Sequence, residues 1–109
     1  MRGLSEEQLS TFQERAVPEP AAALRDPVHL SDVKRLQVPA TVVCTAYSSE
    51  DYKSYAEQGM PFLAGLLDHK AIEYVDLPTG HWPMWSEPKK LAEVIATAAG
   101  RVERPLPTP

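Results

Sequence analysis

With one cysteine in 109 residues, Cys44 has no partner, which excludes an internal disulfide and any zinc site built from several thiolates. Glycine is nearly as scarce. The five present, at 3, 59, 65, 80 and 100, frame no serine in the Gly-x-Ser-x-Gly pattern of a nucleophile elbow and form no phosphate-cradling loop. No apolar run approaches the roughly 20 residues that cross a bilayer. Lys and Arg are scattered among acids and the formal net charge is −4, so neither nucleic acid nor an anionic membrane surface is an expected partner. His29, His69 and His81 are too dispersed to argue for a metal. The first residues lack an apolar signal region. These absences lead to the expectation of a cytoplasmic protein without cofactor or metal.

What the chain has in excess is proline, 11 residues placed mostly between candidate elements and near the end. Residues 4–16 read as a helix: Ser5 can cap it, Gln8 completes the capping-box spacing, and Glu6 and Glu7 suit its positive end. Its stripe of Leu9, Phe12 and Ala16 is narrow, so the helix is expected on a surface or covering something. Val17-Pro18-Glu19-Pro20 stops it, and residues 17–38 read as a connector pressed against the body. Ala40 to Tyr47 is apolar on both parities, the pattern of a strand covered on both faces. A helix capped by Ser48 or Ser49 follows and stops at Gly59, then a second short helix over residues 60–67 with Pro61 in its first turn. Residues 71–77 form the second strand, with Ile72, Tyr74 and Asp76 on one face. The last helix is expected from about residue 87 to 99, ended by Gly100, with 101–109 a polar, disordered tail. Strand, helices, strand implies an α/β arrangement of two parallel strands joined by a crossover. Two such strands leave their outer edges unsatisfied, so the inventory looks like the closing part of a larger sheet.

The chemistry concentrates in Thr79-Gly80-His81-Trp82-Pro83-Met84-Trp85-Ser86-Glu87-Pro88. His81 lies on a loop between a strand and a helix, where a side chain titrating near neutrality is well placed to shuttle protons. The alternative is a structural histidine that bonds a carbonyl or caps the next helix. A base histidine needs a carboxylate to fix its tautomer. Glu50 and Asp51 fall just past the carboxyl end of the first strand, on the edge that His81 reaches from the second. Asp51 is preferred to Glu50, and Asp76 is a weaker third candidate. The bland reading of Glu50 and Asp51 is favourable charge in a helix's first turn. No nucleophile accompanies them: Cys44 reads as an inert buried thiol, and Ser48, Ser49 and Ser86 as helix caps.

Val17-Pro18-Glu19-Pro20, the strand Val38-Pro39-Ala40-Thr41-Val42-Val43-Cys44 and especially the Leu77 to Pro88 run resemble small bacterial serine hydrolases of the α/β-hydrolase fold, across most of residues 4–99. The resemblance implies the C-terminal fragment of that fold. Residues 1–38 would be a cap- or lid-type helix and connector, 39–100 the closing strand-helix-strand-loop-helix part, and 101–109 the tail. It implies His81 as the triad base and Asp51 as the acid, with Trp82 and Trp85 flanking the site or packing the final helix. The family's serine, its elbow and its oxyanion donors lie ahead of the region matched. The expectation is therefore a segment inactive by itself, acting on a small ester-type substrate when paired with an N-terminal half. A non-catalytic interaction module that self-associates through its sheet edge is the alternative.

Overall fold

The computed structural model describes residues 3–102. Helix α1 (Glu6–Arg15) opens with the full capping box: Ser5 Oγ accepts from the Gln8 N–H, and the Gln8 side chain accepts from the Ser5 N–H, each at 3.1 Å. Strands β1 (Ala40–Cys44) and β2 (Ile72–Asp76) pair in parallel, with Ala40 opposite Ile72 and Cys44 opposite Asp76. They form an open, two-stranded sheet in a small mixed helix-strand domain. Between them lies helix α3 (Ser49–Glu57), which ends where Gly59 turns to φ 82°. There the Met60 N–H donates to Tyr55 O and the Gly59 N–H to Ala56 O, the paired bonds of a Schellman stop.

Helices lie on both faces of the sheet. On one, α3 sets the Lys53 ammonium 4.7 Å from the Tyr74 ring and binds Asp76 through Ser49, so Ile72, Tyr74 and Asp76 do share a face. On the other, Arg101 of helix α5 (Pro88–Val102) pairs with Glu73, and Val94 lines one shallow cavity together with Val75 and Leu77.

Several expected boundaries move. Residues 60–67 do not form an α-helix. A turn leads into a 3-10 helix over Ala64–Asp68, which takes up the chain between Gly59 and β2. β1 stops at Cys44 instead of Tyr47, because past Thr45 the chain bends into the α3 cap. A four-residue helix α4 (Pro83–Ser86) occupies part of the expected loop, with proline at its first position. α5 passes through Gly100 to Val102, since a helical φ at glycine carries only a modest cost when the flanking residues are good helix formers. Arg101 and Val102 are thus helical, and the rest of the expected tail lies outside the described residues.

The connector departs further. It contains a short helix α2 (Ala22–Arg25) and a 3-10 turn over Val33–Gln37, yet of residues 17–38 only Leu36 is even half-buried. It is tethered rather than pressed down: the Lys70 N–H donates to Leu36 O at 2.8 Å. With alternate prolines the segment lacks the repeated apolar spacing that would give it a face to bury.

Little is fully enclosed. Among the described residues the buried apolar side chains are Cys44, Ala56 and Leu77. The chain exposes 8981 Å², against about 6,000 Å² for a compact monomer of this size. Its radius of gyration is 17.0 Å, where about 13 Å is expected. The surplus surface includes large apolar groups: Leu24, Val28, Phe62 and Ile95 are exposed. Between Thr41 and Val43 of β1 and Val94, Ile95 and Ala98 of α5 runs an open groove of about 630 Å³. Among the described residues each strand pairs only with the other, so both outer edges of the sheet lack a strand neighbour, and the apolar groove lies on one of its faces.

Candidate active site

The carboxyl ends of both strands meet at one edge. The Leu77 N–H donates to Cys44 O at 2.9 Å and the Thr79 N–H to Thr45 O at 3.3 Å, so the chain leaving β2 stays tied to the chain leaving β1. From the first departs α3, from the second the His81 loop. Parallel pairing puts both on the edge where α/β proteins collect ligand chemistry.

The His81 loop is braced from within. Thr79 is buried, and its Oγ1 meets Ser86 Oγ at 2.5 Å across the turn; Ser86 Oγ also reaches Trp82 O at 3.3 Å. Ser86, expected as a helix cap, is therefore a crosslink. Gly3, at φ 88°, lies so near that an added Cβ would fall 3.0 Å from Ser86 Cβ and 3.2 Å from Thr79 Oγ1. From outside, α1 covers α4. Phe12 lies between the two tryptophans, 5.2 Å from the Trp82 ring centre and 6.1 Å from that of Trp85, and Gln8 Nε2 donates to Trp85 O at 3.0 Å. The narrow apolar stripe of α1 is accounted for by this contact. Both tryptophans pack against the first helix.

His81 itself is exposed. Its imidazole stands edge-on to Trp82, at 4.9 Å and 89°. Asp51 and Glu50 are exposed in the first turn of α3, where the Asp51 main-chain N–H donates to Ser48 Oγ at 3.1 Å. Among the described residues, no hydrogen bond involves the His81 ring or either of these carboxylates. The structure thus places Glu50, Asp51 and His81 past strand ends on one edge of the sheet, with no hydrogen bond between the imidazole and either carboxylate.

Asp76 is engaged differently. Its two oxygens accept from the Ser49 N–H at 2.6 Å and the Ser49 hydroxyl at 2.8 Å. These bonds, main-chain first, hold its pKa below the usual aspartate value, with Lys53 assisting. That carboxylate positions α3 and is not free for His81. No sequence motif announces the contact, because Ser49 and Asp76 are 27 residues apart.

Candidate nucleophiles are similarly occupied. Ser48 caps α3, Ser49 holds Asp76 and Ser86 holds Thr79. Cys44 is 1% exposed, and burial, together with the nearby Asp76 charge, raises its thiol pKa, the reverse of what a nucleophilic thiolate needs. A depression of about 410 Å³ lies at the strand ends, lined by residues including Thr45, Tyr47, Ser48 and Pro78. Among the described residues no three His, Cys, Asp or Glu side chains gather to hold a metal, and no helix is long and apolar enough to cross a membrane. Comparison of the chain with protein-family models, with curated proteins and with solved structures found no match.

Proposed function

We propose that this chain supplies the base and acid of an acyl-bond hydrolase of the α/β-hydrolase type, and that a serine carried by another segment completes the site. His81 would act as general base toward that serine and Asp51 would orient the imidazole. Because the serine performs the covalent step, the chain by itself hydrolyses nothing at a useful rate. Substrates would be small carboxylic esters, and a cytoplasmic setting fits the lone reduced thiol.

One observation supports this reading most: the two strand exits are tied side by side by the Leu77–Cys44 and Thr79–Thr45 bonds, so both candidate groups leave from one edge. Among the described residues no strand pairs with the outer edge of β1, and that edge would seat the complementing segment. Ala40 and Cys44 bond inward to the β2 chain, so strand alternation turns the main-chain groups of Thr41 and Val43 outward. That same edge favours the second reading, a non-catalytic module that pairs with a copy of itself.

Amide hydrogen exchange separates the two. If a nucleophile-bearing segment encoded beside this chain completes the sheet, exchange at Thr41 and Val43 slows when that segment is added and ester hydrolysis begins. Slowing that depends only on the concentration of this chain, with no hydrolysis in the mixture, selects self-association and overturns the hydrolase reading.

A further inference from the structure

A second group of side chains, which shares Tyr47 with the depression at the strand ends, surrounds an open pocket of about 350 Å³ lined by Tyr47, Tyr52, Tyr55, Met60, Phe62 and Leu63. That volume lies at the lower end of the roughly 300–1,000 Å³ range of small-molecule sites. Its walls are mostly aromatic and stand at right angles. The Tyr47 ring is 6.1 Å from Tyr52 at 90° and 6.1 Å from Tyr55 at 89°. Exposed Phe62 and Met60 continue the rim. Perpendicular tyrosine rings and a polarisable thioether make a poor seat for an anion and a good one for a large, weakly hydrated cation.

The charge on the neighbouring helix face has the matching sign. α3, which supplies two of the three tyrosines, carries three carboxylates and one ammonium, and that ammonium is engaged with Tyr74. Asp51 precedes Tyr55 by four residues, so the two share a helix face one turn apart. No lining residue is charged. We propose that this pocket binds a quaternary or fully methylated ammonium group, held by the tyrosine faces and attracted by the Asp51 carboxylate one turn away. The proposal stands whether or not the chain belongs to a hydrolase.

The probe is tetramethylammonium, with near-isosteric, neutral tert-butanol as its counterpart, titrated into the full chain while the ligand's methyl resonance is followed by NMR. A saturable upfield shift is expected for the cation, as its methyl groups enter the ring faces, with tert-butanol binding at least about fivefold more weakly. Tyr47→Leu keeps an apolar wall but removes the π face, and weakens cation binding roughly tenfold; Tyr55→Phe leaves it within about twofold. Fluorescence of Trp82 and Trp85, which belong to the other aromatic group, reports whether each variant is folded, and Tyr52→Leu replaces Tyr47→Leu if that one is not. Absence of a saturable shift, equal binding of tert-butanol, or unchanged affinity in a folded leucine variant overturns the proposal. Equal binding of the neutral probe would identify the pocket as a seat for an apolar side chain.

Discussion

Ser49 closes on Asp76 twice, through its main-chain N–H and its hydroxyl, and so fixes the first residue of α3 to the last residue of β2. The contact sets where Asp51, two residues further on, leaves the sheet edge. It is charge-assisted, which makes it stronger than a neutral hydrogen bond of the same length.

The pH dependence of this contact follows from its sign. The Asp76 pKa is lowered in the folded state, so the contact contributes fully above the ordinary aspartate value and is lost as pH falls through the lowered one. The Ser49 amide proton resonance is expected to titrate with a midpoint below that of a free aspartate. In Asp76→Asn the inflection disappears and the first turn of α3 exchanges its amide protons faster. A midpoint at the free-aspartate value would contradict this.

Phe12 is expected to anchor the first helix. Phe12→Ala removes one ring from between two others and costs about 2 kcal/mol, combining lost burial with two aromatic contacts. Trp82 and Trp85 lose their cover, so emission shifts to the red and α1 loses protection from exchange. Unchanged emission would show that α1 does not cover the His81 loop in solution.

Cys44 is expected to resist alkylation. Its thiol is enclosed and its pKa is raised, so a maleimide at pH 8 labels the denatured chain within minutes and the native chain only through opening. Rapid native labelling would mean that β1 is far less protected than its pairing with β2 indicates.

The sequence was most legible where local rules decide structure. Ser5 and Gln8 announce the α1 cap, Gly59 the end of α3, and the β-branched, largely apolar run after Pro39 the first strand. It was least legible where distant residues meet. Ser49 with Asp76, Thr79 with Ser86, and Phe12 between the tryptophans are tertiary contacts that periodicity does not encode. Ser86 carries a good cap signature and serves a different bond. The tyrosine pocket had only a faint signal, the i, i+3 spacing of Tyr52 and Tyr55. For the candidate site, the placement of His81 and Asp51 past neighbouring strand ends could be read from strand order, but their lack of a shared hydrogen bond could not. The connector, expected against the body, instead leaves Val17, Leu24, Val28, Leu30, Val33 and Val38 facing water, because its prolines break the repeated spacing that would gather them on one face.

Hydrolysis of p-nitrophenyl acetate, by this chain alone and then with a nucleophile-bearing segment encoded beside it, tests the central claim most directly. The chain alone is expected to show no rate above buffer. The completed pair is expected to turn over, with His81→Ala lowering the rate at least about a thousandfold and Asp51→Asn by about a hundredfold or more. Hydrolysis by the isolated chain that is lost on substituting a residue within it would contradict the account, as would turnover by the pair that survives His81→Ala.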